Sequence, residues 1–287
     1  MSWLILSVLT AVSEAAKDIF SKKSLRSSNA YLVAWAYRLY SLPFLLPLLF
    51  IIEIPVLTAN FWLAMVVGGG LNVITTILYM KALSHSDISL TVPMVAFTPL
   101  FLLVTSPVIV GEFPTFAGFV GVILIVLGSY FLNIKEIKKG FWAPFRSLVY
   151  EKGPRYMLLV AFIWSITSNF DKMGVKASSP LFWAVSVNVF IALAMTPIVL
   201  LRVRRNAPEM VTRWRKYLPI GLLGAATLIF QMLAINITLV AYVISIKRTS
   251  AVLVVLAGYW FFKEKGTASR LVGSLIMLAG VLLISIF

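Results

Sequence analysis

This sequence predicts an all-α membrane protein: ten transmembrane helices arranged as two inverted five-helix repeats. Three observations lead there. Hydrophobic residues make up 61% of the 287, against about 45–50% in an ordinary soluble domain. Mean hydropathy is +0.98, so too few polar residues remain to cover a water-facing surface. The apolar residues also gather into ten runs, at roughly 2–20, 31–52, 61–83, 88–110, 114–134, 156–173, 180–201, 217–235, 237–261 and 268–287. Each is near the ~20 residues that a helix needs to cross the hydrocarbon core. Finally, the charges lie mostly in the short links between runs, and backbone polar groups in lipid must pair within helices.

The first run lacks a basic n-region and an A-x-A cleavage site, so it reads as a retained helix. Near its end come Glu14, Lys17 and Asp18 at i, i+3 and i+4. Snorkelling to the interface accounts for Lys17 and Asp18. Glu14 lies deeper, and either pairs with a cation or binds a coupling proton. The second run carries Arg38 among Trp35, Tyr37 and Tyr40. An arginine inside a span usually faces the protein interior, so Arg38 is expected in a cavity. The third run holds Gly68-Gly69-Gly70, Asn72 and Tyr79, and the fourth is bent or loosened by Pro93 and Pro99. Before the fifth run, Gly111-Glu112 closes a short loop, where Glu112 is expected to cap the helix that follows.

Residues 135–155 form the longest link, basic and carrying Phe141, Trp142 and Phe145. The pattern fits an amphipathic segment lying on the membrane surface. The second half then opens with Trp164, Asn169, Asp171 and Lys172 in the sixth run, with Lys172 read as another snorkelling lysine. Asn188 follows in the seventh run, and Gly221, Gly224, Gln231 and Asn236 in or beside the eighth. The ninth run places Lys247 and Arg248 side by side near its centre. Two cations there cost about 2.5–3.5 kcal/mol each on the insertion scale. Such a pair faces an anionic ligand, a watery cavity or buried acids. On a continuous helix Tyr242, Ser245, Arg248 and Thr249 share one face, and the long stem of Lys247 reaches the same space.

A single offset of 152 pairs Gly69 with Gly221, Tyr79 with Gln231, Met80 with Met232, Glu112 with Glu264, Gly121 with Gly273 and Gly128 with Gly280. In the first helices of each half an offset of 154 pairs Lys22 with Lys176. The implied domains are residues 1–134, the basic link 135–155 and residues 156–287. Five helices per half make the repeats insert in opposite senses. Nineteen of the 25 lysines and arginines lie in links 1–2, 3–4, 5–6, 7–8 and 9–10. The positive-inside rule puts those links in the cytoplasm and both termini outside, in a bacterial-type inner or plasma membrane. The net charge of +15 is therefore a topology signal, and nucleic acid is not an expected partner.

This layout resembles the drug/metabolite transporter superfamily, in its ten-helix members built from two EamA-type domains. The resemblance rests on Ala82-Leu83, Thr98-Pro99-Leu100, Gly111-Glu112, Gly121 and Gly128, echoed by Lys263-Glu264, Gly273 and Gly280. It implies a secondary transporter with alternating access and a substrate cavity between the halves. Well-known members have cytoplasmic termini; the loop charges here give the reverse. The Lys247-Arg248 pair is also similar to that of the sugar-phosphate/phosphate translocators, where the pair grips phosphate, although the fourth run offers no cation and the eighth has Phe230-Gln231 and no tyrosine.

The substrate expected is a small anionic or zwitterionic metabolite, with a proton or an exchanged counter-substrate supplying energy. Its contacts are Lys247, Arg248, Arg38, Tyr79, Gln231, Tyr242, Asn72 and Trp164, with Glu14, Asp18 and Asp171 as coupling groups or internal counter-charges. Two alternatives stand beside it. One is an exporter of amino acids or other neutral metabolites, with the cations paired internally; the other is a flippase for a phospholipid or lipid-linked headgroup. No Walker A loop, H-E-x-x-H or nucleophile elbow occurs, so no enzyme, catalytic residue, metal or cofactor is expected. The chain is read as a monomer or homodimer.

Overall fold

The computed structural model describes residues 2–86, 91–132, 151–254, 257 and 268–286. Among them all regular structure is helical. We number ten helical elements, beginning with α1 (Ser2–Leu25), α2 (Ala30–Phe50) and α3 (Ala59–His85). Next, α4 opens as a 3-10 segment, Val92–Phe97, and continues as α-helix Thr98–Val110. Then come α5 (Phe116–Leu132), α6 (Lys152–Lys176), α7 (Pro180–Val203), α8 (Trp214–Ile237), α9 (Val240–Lys247) and α10 (Ala268–Ile286). The surface-lying segment expected at 135–155 falls almost wholly outside the described residues, as does Glu264.

Local chemistry sets the ends. Asn29 accepts from the Tyr31 N–H at the start of α2. Ser179 accepts from the Phe182 N–H at the start of α7, with Pro180 in the first turn, and both are favoured cap arrangements. At the other end of α4, Gly111 takes φ +68°, a left-handed stop that glycine adopts without strain.

Four helices are long and apolar enough to cross a membrane by length and composition: α2, α3, α7 and α8. The apolar parts of α4, α5 and α10 are shorter. By length α1 and α6 match the longest helices, but both bury polar and charged side chains on their inward faces. Apolar side chains such as Val104, Val108, Leu193 and Leu275 are exposed.

Packing follows a two-way exchange. Against α1 lie α8 and α9, and against α6 lie α3 and α4. In the middle α2 packs on α7, while α5 and α10 pack chiefly on each other. Small residues permit the last approach: a side chain at Gly121 would meet Ile284 and the Gly280 carbonyl, and one at Gly280 would meet Ile125 and the Gly121 carbonyl. Dispersion contacts at such close range drive association where lipid offers no hydrophobic force.

The ninth helix departs from the continuous 237–261 span read from sequence. It ends at Lys247, turns at 248–249 and resumes at 250–254. Here Thr249, Ala251 and Val252 donate three residues back, to Ile246, Arg248 and Thr249, which is 3-10 bonding. The Thr249 hydroxyl also donates to the Ile246 carbonyl at 2.7 Å and competes with the α-helical partner of that group. Under the offset of 152, Val92–Phe97 of α4 corresponds to residues 244–249. Both helices are therefore tightened at the same step of the repeat.

Candidate functional site

The interior holds a cavity of about 60 Å³. One water needs about 10–15 Å³, so a few waters or one small metabolite fit. Its charged lining consists of four cations, Lys17, Arg38, Lys247 and Arg248, and two carboxylates, Glu14 and Asp171. Tyr37, Asn72, Thr76, Tyr79, Trp164 and Gln231 also face it.

The charges are arranged unevenly. Lys17 Nζ bonds Glu14 Oε2 at 2.7 Å and lies 3.7 Å from Asp18 Oδ1. From the other side of the cavity, Lys247 Nζ donates to Gln231 Oε1 at 2.7 Å and stands 3.6 Å from Glu14 Oε2. Asp18 Oδ2 accepts from the Tyr79 hydroxyl at 2.6 Å. Asp171 Oδ1 accepts from the Trp183 indole at 3.0 Å. Arg38 spans three helices: it donates to Thr76 on α3 at 3.0 Å and to Asn188 on α7 at 3.4 Å, and it stacks 4.3 Å over the Tyr37 ring. In return Asn188 donates to the Arg38 carbonyl.

Arg248 differs from all of these. It is 4% exposed. No described residue gives its side chain a hydrogen bond or an ion pair. Its guanidinium carbon lies 5.0 Å from the centroid of the Trp164 ring, over the ring face. Trp164 in turn packs on Tyr79 and donates to Thr75 at 3.1 Å. The guanidinium fork is thus held on an aromatic wall with its donors free to meet a ligand.

The structure gathers Lys247, Arg248, Arg38, Tyr79, Gln231, Asn72, Trp164, Glu14 and Asp171 around one space. Tyr242 is elsewhere. Its hydroxyl bonds the Thr115 N–H at 3.0 Å and the Thr115 hydroxyl at 3.2 Å, and it abuts Gly118 at the start of α5. Ile244, Lys247 and Arg248, at i, i+3 and i+4 on one side of the helix, face the cavity in place of the predicted 242/245/248/249 face. Asp18 does not line the cavity and reaches it only through Tyr79 and Lys17.

Snorkelling is also overturned for three residues. Lys17 and Asp18 are 3% and 1% exposed, because Glu14 and Tyr79 satisfy them inside. Lys172 donates to the Ile235 and Thr238 carbonyls at 2.6 and 2.8 Å, and pairs with Glu112 at 2.9 Å. Lys22 donates to the Leu83 and Ser86 carbonyls, both at 2.6 Å. Those carbonyls are equivalents at offset 152, so Lys172, and not Lys176, does in the second half what Lys22 does in the first. Glu112 does not cap α5; its Oε2 accepts from the Val240 N–H at 2.8 Å and caps α9. The sequence reasoning missed Lys17, Tyr37 and Thr76 as cavity residues. Tyr37 and Thr76 could have been found from their spacing, next to Arg38 and four residues after Asn72.

The family model described as "EamA-like transporter family" matches residues 1–134 and again 152–286. The chain belongs to the EamA-like transporter family. This EamA-like chain is accordingly an integral, multi-pass membrane protein and a transporter of small molecules, from a family of transporters and not of enzymes. A solved structure described only as "Crystal structure of protein" matches at TM-score 0.69 over 97% of this chain and 98% of its own, at 14% identity. At that identity the likeness shows the fold alone. In all, 29 solved chains match, and no curated protein does.

Proposed function

We propose that this EamA-like protein is a secondary transporter of a small anionic or zwitterionic metabolite, carried through the central cavity by alternating access. The observation that supports the reading best is Arg248: a buried guanidinium facing the cavity with no carboxylate among the described residues within ion-pairing reach. A buried charge is expensive unless paired, and a planar fork suits a carboxylate or phosphate. Lys247, Arg38, Gln231, Asn72, Tyr79 and Trp164 complete the binding surface, and Asp171 supplies a counter-charge for a substrate's ammonium group. Tyr242 has no part in it.

The architecture proposed is ten spans in two inverted halves, residues 1–134 and 156–287, joined by the basic link 135–155. Support comes from the two matches of the family model, from the reciprocal packing of α1 with α8 and α9 and of α6 with α3 and α4, and from the paired roles of Lys22 and Lys172. Loop charge places the basic links in the cytoplasm and both termini outside.

The reading is tested by thermal stabilisation of the purified protein in detergent. The panel holds phosphorylated, carboxylated, zwitterionic, cationic and neutral metabolites, run on wild type and on Arg248→Ala. Stabilisation by anions or zwitterions that vanishes in the variant is expected. Stabilisation confined to neutral or cationic compounds and retained in the variant overturns it, and the exporter of neutral metabolites takes its place.

A further inference from the structure

On α1, Glu14 Oε1, Asp18 Oδ1 and Ser21 Oγ are all buried and without a hydrogen-bond partner. At i, i+4 and i+7 they lie along one face of the helix. Few buried polar atoms lack a partner in a folded protein, so three in one column need an explanation. Glu14 lines the cavity; Asp18 and Ser21 lead from it toward the α1–α2 link.

The cations facing this column come from two elements. Lys17 on α1 serves both carboxylates, closely for Glu14 and at 3.7 Å for Asp18. Lys247 on α9 stands 3.6 Å from Glu14, but its shortest bond goes to neutral Gln231 on α8. Among the described residues, Arg248 just after α9, Tyr79 on α3, Tyr37 and Arg38 on α2 and Asp171 on α6 are the other titratable or charged groups around the same cavity. The ammonium of Lys247 is therefore divided between a carboxylate that needs it and the space where Arg248 waits for an anion.

From this division we infer that anion binding and proton binding are coupled, with Asp18 as the proton acceptor; the inference rests on the anionic reading of the cavity. An anion seated on Arg248 draws Lys247 toward itself. Glu14 then claims Lys17 in full, and Asp18 is left with a hydroxyl from Tyr79 and no cation. A buried carboxylate in that position takes a proton. The anion and the proton enter together and leave together, which makes the carrier a proton–anion cotransporter. The proton comes from solvent and forms one O–H bond on Asp18 Oδ1; nothing else is made or broken.

The test measures proton release or uptake directly, by titrating the detergent-purified protein with sulfate and with pyruvate in a weakly buffered solution containing a pH indicator. Both probes are fully ionised near neutral pH, so any proton taken up goes to the protein. Wild type should take up a proton fraction approaching about one per bound anion, and its affinity should rise by up to about tenfold per unit fall in pH. Asp18→Asn should bind the same anions with no uptake and no pH dependence. Ser21→Ala serves as a second variant, which keeps the acceptor, lies outside the cavity lining and should retain uptake. Binding without uptake in wild type overturns the coupling and leaves the anion site standing. Unchanged uptake in a folded Asp18→Asn also overturns it. Failure of wild type to bind either anion, with neutral compounds bound instead, removes the substrate reading and the coupling together.

Discussion

Lys247 Nζ stands 3.6 Å from Glu14 Oε2 and 2.7 Å from Gln231 Oε1, so one ammonium joins α9 to both α1 and α8. Its neighbour Arg248 makes no such bond. The two adjacent cations therefore divide the roles that the sequence left open for the pair: Lys247 has internal partners and Arg248 faces the cavity.

Substitution at these two positions should separate them. Lys247→Glu sets a third carboxylate beside Glu14 and Asp18 and should cost about 3–5 kcal/mol of stability. Arg248→Ala should change the melting temperature little, since it breaks no described polar contact, yet abolish stabilisation by anions. Equal melting losses in the two variants would contradict this division.

Tyr242→Phe should lower stability by about 1 kcal/mol through loss of the Thr115 bonds, and leave ligand affinity unchanged. Thermal shift with and without ligand reads both quantities. A change in affinity would place Tyr242 back among the binding residues.

Lys172→Met removes the donor to the Ile235 and Thr238 carbonyls and the partner of Glu112. About 3 kcal/mol of stability should be lost. The double variant Lys172→Met with Glu112→Gln should lose less than the two single variants combined, because the orphaned carboxylate is gone. Additive losses would mean the pair is not coupled.

Outside the spans, Glu209 joins two links. It accepts from Ser28, and from Tyr217 at 2.7 Å, with Lys216 at 3.5 Å. Burial alone would lift its carboxyl, but the bonds from Ser28 and Tyr217 and the Lys216 charge outweigh it and hold the group below the usual carboxylate range. A depressed value means that the stabilisation is present above the unfolded-state value, about 4.3, and is lost as pH falls through the folded one. Acid unfolding curves should thus show a component that Glu209→Gln removes while leaving stability at neutral pH only modestly changed. Identical acid limbs for variant and wild type would rule it out.

Tight packing gives a steric prediction as well. Gly121→Leu forces α5 away from α10 and should cost about 1–3 kcal/mol, whereas Gly70→Ala meets open space and should be tolerated. Comparable losses at the two sites would argue against the close α5–α10 approach.

Much of this could be read from the chain because lipid imposes simple rules. Long apolar runs have to be helical, and Gly121, Gly128, Gly273 and Gly280, read from the chain only as repeat equivalents, turn out to lie where α5 meets α10. Repeat equivalence located Tyr79 and Gln231 facing the same space. Which side of α9 faces inward was not legible: Ile244, Lys247 and Arg248 share the side that lines the cavity, and Tyr242 points instead to Thr115. Nor were partners across helices. Charge counting could not distinguish a lysine that snorkels outward from Lys17 or Lys172, which turn inward to groups some distance away in sequence.

The 3-10 segment of α4, and the 3-10 bonds that follow Ile246 at the end of α9, also act as rulers. A 3-10 helix rises about 2.0 Å per residue, against 1.5 Å in an α-helix, so six residues differ in length by about 3 Å between the two forms. Interconversion of such a segment slides and turns whatever it carries while its ends stay anchored. In α9 the cargo is Lys247 and Arg248; in α4 the equivalent places hold Val95 and Ala96. The same stroke would move charge in one half of the molecule and only bulk in the other.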